Sequence, residues 1–457
     1  MSPLGVTDPY APTTDIAEAY RRCDPGTPLR GTHLERWYVD CADARGVHDF
    51  LTRLANNVMR AGGDGSLEMG RPYAHLAVSG HVGCGKSTDL RELQKCLEEE
   101  RYAVVFVSTE TEVSPEELDT EAIVLVTLQE LVSQLEKRGV SLDAAKVHDV
   151  GRWFGEVIEE KTESKDAAAE ISAQAGIGNS QLLKLLVGFR GYIRQATASK
   201  TTYKAEYRRY LSSLLGNLND LFASARIELE KQDLKGPVLI LDGPDKIKQR
   251  ELQREVFVEY GELLGGLQAH LIMTAPIDIV CSPDVDTMRR WFNEPEILPS
   301  IQVDKPDFLA TAMQIILRRC DAGLFEEGVI ERLCQVSGGD VRHIIILTRE
   351  ALSRAPHAPV TMAHAEEAVS ALSRGFAGWL RDDPERPEYR RLAKVSLDEE
   401  SPVTDDLGRG LLVGSAVLCY SNGRRWYKVH PAIEPLRPFK RRLTELRAEQ
   451  EQEPDEV

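Results

Sequence analysis

The sequence predicts an α/β fold: a parallel sheet flanked by helices, interrupted by a long helical insertion and followed by a run of helices alone. Three observations predict it. Apolar runs of strand length recur at 75–79, 102–108, 238–241, 270–274 and 297–303, with helix-periodic segments between them, the pattern of strands covered on both faces. A glycine-rich loop at 80–87 separates the first run from a helix. Apolar residues are 42% of the chain, and 34 glycines raise that to about 49%, an ordinary globular composition.

The 457 residues are enough for two to four domains. Residues 1–33, rich in proline and polar side chains, read as a flexible N-terminal arm. Residues 34–40 (LERWYVD) read as a short strand or entry segment, and 47–59 have helical spacing. A glycine-rich connection at 61–72 leads to the first buried strand; 90–99 is helical and 102–108 is the second strand. The helical insertion occupies about 114–234. Within it, 123–135 is apolar on nearly every side, and Leu211, Leu214, Leu215, Leu218, Phe222 and Ala225 make one stripe, either core or a partner-binding face. A helix over about 251–267, a strand at 270–274 and an extended run at 297–303 complete the sheet. Residues 307–372 read as helices. A charged linker at 382–387 introduces a small module with a hairpin turned at Asn422-Gly423. The tail, 446–457, is acidic and reads as disordered.

Charge and cysteine usage narrow the class. With 56 basic and 73 acidic side chains the net charge is −17, which excludes a chain-wide electrostatic grip on nucleic acid and leaves only a local basic patch. The cysteines at 23, 41, 84, 96, 281, 320, 334 and 419 contain no CxxC pair and no zinc spacing, as suits a reducing compartment. The N-terminus has neither a basic start nor an apolar core, so no signal peptide is read. The best membrane candidate, 182–193, is broken by Lys184 and Arg190 and is too short to span. A cytoplasmic protein without a membrane segment is expected.

The chemistry lies in Gly80-His-Val-Gly-Cys-Gly-Lys-Ser87, which fits GxxxxGK[ST] between a strand and a helix. Glycines let successive amides turn inward, so Gly80, Val82, Gly83, Cys84, Gly85, Lys86, Ser87 and Thr88 would cradle phosphates at a helix N-terminus. Lys86 would reach the β and γ phosphates and Ser87 would ligate magnesium. Asp242, at the end of the strand at 238–241, supplies the second metal ligand from the same crevice. Asp245 is a further acid that orients water or is a turn carboxylate. Cys84 sits where a helix N-terminus lowers a thiol pKa, or simply fills the loop.

These residues resemble the AAA+ and STAND group of ATPases, closest to the clade of origin-recognition ATPases and bacterial STAND switches, over about 34–372. The run Asp242-Gly-Pro-Asp-Lys246 is similar to a DGLDK-like form of that group. The resemblance implies a P-loop NTPase core at 34–306, an α-helical lid at 307–380 and a small winged-helix-like module at 388–445. It implies that Thr274 senses the γ-phosphate, that Arg289 or Arg290 is an arginine finger for a neighbouring copy, and that Arg342, in Ser337-Gly-Gly-Asp-Val-Arg342, is the lid arginine. AAA+ motors place glutamate after the metal-binding aspartate, where this chain has Gly243; a slow switch is implied rather than a fast motor. No NKxD segment is present for guanine, so ATP and Mg2+ are the expected cofactors.

Residues 371–448 hold 15 Lys and Arg against 11 Asp and Glu, a local +4. Arg424, Arg425 and Lys428 on the hairpin, with Arg437, Lys440, Arg441 and Arg442 after it, would contact DNA phosphates, or the module packs on the nucleotide domain or a protein. His430 reads as a packed histidine. The expectation is a nucleotide-dependent switch ATPase in bacterial signalling or defence, acting as a homo-oligomer or on a separate effector protein. The alternatives are an ATP-dependent DNA-binding initiator and a non-hydrolysing scaffold.

Overall fold

A strand buried on both faces has no solvent side to alternate with, so it reads as a continuous apolar run. Four of the five predicted runs are such strands in the computed structural model, which describes residues 8–61, 72–109, 113, 118–162, 186, 200–400 and 403–452. They are β1 (His75–Gly80), β2 (Tyr102–Ser108), β3 (Lys235–Asp242) and β4 (His270–Ala275); the short β5 (Glu296–Leu298) is the fifth. All pairings are parallel, in the order β2-β3-β4-β1-β5. β4 therefore lies between the strand that enters the glycine-rich loop and the strand that ends in Asp242. Register places Thr274 opposite Val78, and Met273 opposite Leu241, so the C-terminal ends of β1, β3 and β4 open on one crevice.

Helices cover both faces. Before the sheet come α1 (Ile16–Arg22), α2 (Gly31–Trp37) and α3 (Phe50–Arg60); α4 (Lys86–Glu99) follows the loop. The insertion contributes α5 (Thr120–Lys137), α6 (Ala144–Thr162) and α7 (Lys200–Glu230). α5 packs on β2 and α7 on β3. The stripe on α7 is core: Leu214, Leu218, Phe222 and Ala225 are each at most 2% exposed and Leu215 is half-buried against the same cluster, while the Leu211 side chain lies outside the described residues. So does the 182–193 segment apart from Leu186. Among the described residues no helix is long and apolar enough to cross a membrane.

The predicted helix over 251–267 is divided into α8 (Arg250–Arg254), a π turn (Glu255–Glu259) and α9 (Gly261–Gly265). Trp291 explains the glycines: a Cβ on Gly261 or Gly265 would run into its side chain. After β5 come α10 (Pro306–Leu317), α11 (Val329–Val336), α12 (Val341–Arg354) and α13 (Met362–Trp379). The last module is α14 (Glu388–Leu397), α15 (Asp406–Val413), the hairpin β6 (Val417–Ser421) and β7 (Arg425–Val429), and α16 (Arg437–Gln452). Its turn falls at Asn422-Gly423, with Gly423 at φ +95.

Three expectations are corrected. Residues 8–33 are not a loose arm. Asp15 caps α1 through Glu18 N at 2.7 Å, Ala19 and Cys23 are fully buried, and α1 packs on α12; the buried contacts are small side chains, which leave little periodic signal. The 34–40 segment is helical as far as Trp37, because Leu34 and Trp37 face the same core at i, i+3. The acidic tail is helical to Gln452, since Phe439 and Leu446 are buried and Glu449 pairs with Arg390 at 2.7 Å.

Truncating the α7 stripe tests this packing. Phe222→Ala removes a side chain only 1% exposed and is expected to cost about 3–5 kcal/mol, read as a lowered urea midpoint with an unchanged slope.

Candidate functional site

The loop between β1 and α4 is shaped by close approach. Gly83 has φ +91, and a Cβ there would lie 2.5 Å from Arg342 Cβ; Gly85, at φ +111, starts α4. The lid reaches this point because of its own glycines. Gly338 and Gly339 are left-handed at φ +61 and +74, Ile301 N donates to Gly339 O at 3.1 Å, and Asp340 then caps α12 through His343 N at 2.9 Å. Arg342, the second residue of α12, thus lies over the phosphate-type loop.

Lys86 is the centre of the site. Its ammonium donates to Gly80 O at 2.9 Å and His81 O at 2.8 Å, and pairs with Asp245 Oδ2 at 2.9 Å; the two side chains are 4% and 3% exposed. Burial opposes the charged lysine, but Asp245, Cys84 and Asp242 outweigh it and hold the group above its ordinary range. Ser87 Oγ donates to Asp242 Oδ1 at 3.0 Å. Burial, then the Asp245 charge, pushes the Asp242 carboxyl up. Thr274 Oγ accepts from Gly243 N at 3.0 Å and Asp245 N at 3.4 Å, so the residue expected to sense phosphate fixes the turn that carries Asp245. Asp245 Oδ1 is buried without a hydrogen-bond partner.

An open cavity of about 520 Å³ spreads from this loop. Val82, Gly83, Gly85, Lys86, Ser87, Thr88, Asp245 and Arg342 line it, as do Ile315 and Ile345 from the lid helices and Arg319 from the turn after α10. The sequence reading missed its third wall, the N-terminal segment, which contributes residues such as Asp24, Trp37, Tyr38 and Val39. It also missed Arg45, buried at 3% exposure and donating to Cys84 O at 2.5 Å and Pro299 O at 2.6 Å. No spacing marks these residues; the one available signal was aromatic density at 37–38 ahead of the loop.

The other expected site residues lie apart from this cavity or play a different part. Arg289 is held by Asp286 and by Glu294 at 2.6 Å, and neither it nor Arg290 lines the cavity. Of the two readings of Cys84 the lowered thiol is contradicted and the loop filler is left: the thiol is buried and burial pushes it up, outweighing Lys86 and Arg45. Of the seven basic residues proposed for DNA, Lys428 pairs with Asp304 at 2.5 Å, and Arg441 and Arg442 both pair with Asp382. Arg424, Arg425, Arg437 and Lys440 are exposed. His430 is packed, with Nε2 3.0 Å from His343 Nδ1.

His81, the second loop residue, ties the site to the C-terminal module. Its Nδ1 lies 3.1 Å from Leu412 O and its Nε2 accepts from Cys419 N at 2.9 Å; Nδ1 therefore carries the proton and the ring is neutral. Tyr420 adds a hydrogen bond to Gly338 O at 2.6 Å. The module thus touches both the loop and the lid turn.

Two predictions follow from these buried groups. Burial lowers the His81 pKa from 6.5 to about 4. The unfolded chain then binds the extra proton across that window, so stability contributed by His81 is full above pH 6.5 and falls as pH drops toward 4, by on the order of 2–3 kcal/mol. Urea unfolding of His81→Gln across that range should show a correspondingly shallower acid loss. Breaking the Lys86–Asp245 pair by Asp245→Leu should destabilise the protein by about 3–5 kcal/mol, while Lys86→Met/Asp245→Leu recovers most of it, measured by denaturant titration.

No family model and no curated protein matches the chain. Among solved structures it is similar to the Aeropyrum pernix ORC1 protein in complex with DNA (14% identity, 95% of this chain and 98% of that chain, TM-score 0.37). It is also similar to the Walker-type ATPase PABY2304 of Pyrococcus abyssi (13%, 90% and 98%, 0.42) and to Cdc6p from Pyrobaculum aerophilum (12%, 92% and 99%, 0.36).

Proposed function

We propose that this chain is an ATP-binding, magnesium-dependent P-loop ATPase of AAA+/STAND type that works as a slow nucleotide-dependent switch. The observation that carries the reading is the buried Lys86 ammonium, joined to Asp245 and set in a glycine loop over which Arg342 of the lid is laid. Such a loop, followed by a helix N-terminus, is a site for phosphate oxygens.

The residues fit the group. Ser87 Oγ and Asp242 Oδ1 are adjacent hard oxygen donors, which suits magnesium held by few protein ligands and by phosphate. When bound, magnesium neutralises phosphate charge and fixes its geometry. Lys86 would hold the β and γ phosphate oxygens, giving up carbonyl contacts to do so. Asp245, with one oxygen unpartnered, would orient water. Thr274 keeps the Gly243–Asp245 turn in place, and Arg342 would report phosphate occupancy to the lid. Gly243, standing where motors carry glutamate, favours slow turnover. The C-terminal module is read as winged-helix-like, and its contacts to His81 and Gly338 support a switch whose output passes through it to a homo-oligomer or a separate effector, in bacterial signalling or defence. Lys428, Arg441 and Arg442 pair within the chain while Arg424, Arg425, Arg437 and Lys440 are exposed, so the alternative of an ATP-dependent DNA-binding initiator stands beside this reading.

Calorimetric titration of ATP with magnesium tests the reading. Wild type is expected to bind and to turn over slowly, below about one per second. Lys86→Ala should lose about 2–3 kcal/mol of binding, roughly 30- to 150-fold in affinity. Equal affinities in the two proteins, or no binding by wild type, would overturn the proposal.

A further inference from the structure

Cys23 and Cys320 are 297 positions apart and meet with their sulfurs 3.8 Å apart, sharing one S–H. Both are fully buried. Among the described residues no other pair of cysteine sulfurs is in contact. Cys23 ends α1; Cys320 lies just past α10, the first lid helix. Their backbones are already tied together. Thr13 bridges to Cys320, Asp321 N donates to Thr13 O at 2.9 Å, and Arg22 donates to Arg319 O at 3.2 Å. A disulfide needs the sulfurs to close by roughly 1.8 Å, to about 2.05 Å.

The position matters because each cysteine stands beside residues of a cavity wall. Arg22 and Asp24 flank Cys23, Arg319 precedes Cys320, and all three line the cavity that contains Lys86. A bond here would fasten the N-terminal wall to the lid wall. We propose that Cys23 and Cys320 are a modification site: a reversible disulfide, formed by hydrogen peroxide, that clamps the two walls of the nucleotide cavity together.

The chemistry of the pair suits this. The shared hydrogen bond from Cys320 holds the Cys23 thiol below its ordinary value, against burial and with help from Arg319, Arg349 and Arg22; Cys320 is correspondingly raised, first by that hydrogen bond. The shared proton leaves either sulfur able to act first; Cys23 is taken as the nucleophile. Its thiolate attacks one peroxide oxygen, the O–O bond breaks, and hydroxide leaves and takes up the thiol's proton as water, giving a sulfenic acid. The Cys320 sulfur then attacks Cys23 Sγ, the S–O bond breaks, and the Cys320 proton leaves with the oxygen as a second water. Two thiols lose two electrons and one peroxide becomes two waters. A dithiol reverses the bond by exchange once the contact between α1 and the lid opens to admit it. The oxidant has to be small, because both sulfurs are sealed from solvent.

The effect on nucleotide exchange rests on the ATP-site reading above; the cross-link itself does not. The full chain is treated with hydrogen peroxide, blocked with an alkylating agent, and mapped as peptides without reduction. A peptide linked through Cys23 and Cys320 is expected, lost in Cys23→Ser and in Cys23→Ala and reversed by dithiothreitol. Oxidation should slow release of a fluorescent ATP analogue by about tenfold and raise the melting temperature. Oxidation of the half-buried Cys96 with no linked peptide overturns the proposal, as does a linked peptide with unchanged release. If the reduced protein binds no ATP analogue, the ATP-site reading has failed and the clamp is judged by melting alone: a rise on cross-linking supports it and no rise overturns it.

Discussion

A lysine ammonium taken out of water must be answered by a counter-charge and by acceptors for its protons, or the fold that buries it does not form. Lys86 meets that demand with Asp245 and two loop carbonyls. The demand reaches far along the chain. Asp245 can stand there only because β3 delivers Asp242 to the same crevice and Thr274, at the end of the intervening strand, holds the turn between them. Sheet order, turn geometry and loop geometry are therefore one arrangement, set by a single charge.

The same pair explains why this region was legible. A phosphate-type loop and an acid ending a buried strand are local patterns, each readable at its own position, whereas Thr274 was singled out only through the family resemblance. The strand at 102–108 carries its signal in seven consecutive residues, six of them buried. The Ser337-to-Arg342 segment was found through the same resemblance, and its left-handed glycines and capping aspartate account for its local shape.

What escaped is non-local or chemically plain. α1 buries completely only an alanine and the cysteine that ends it, side chains too small to mark a face; Ile16 and Tyr20 are only partly buried against the core, and Arg22 ties the helix to backbone carbonyls of Ala11 and Arg319. Arg45 looks like any surface arginine until the fold surrounds it with Cys84 and Pro299 carbonyls. The cavity wall built from 24–29 and 37–39 carries no spacing that marks it as a wall, since residues that line the opening alternate with ones, such as Trp37 and Val39, that are also packed inward. Cys84 failed for a different reason. The helix N-terminus is present as expected, but a thiol with 1% exposure loses more by desolvation than the helix dipole and Lys86 return.

His81 shows how an inconspicuous residue can set the relation between modules. Its carbonyl accepts from Lys86, while its ring is held at both nitrogens by the backbone of Leu412 and Cys419. One residue therefore belongs to the cation's coordination and to the seat of the C-terminal module. Gly338 plays the matching part on the lid side: its carbonyl receives Tyr420, and a Cβ there would strike Leu418. The loop, the lid turn and the hairpin meet in van der Waals contact through these two residues, with buried hydrogen bonds that cannot be exchanged for water in place. A displacement of the loop large enough to free the Lys86 ammonium from the His81 carbonyl must either be absorbed within a single residue or move the hairpin with it. With the imidazole fixed at both ends, the second is the less costly deformation.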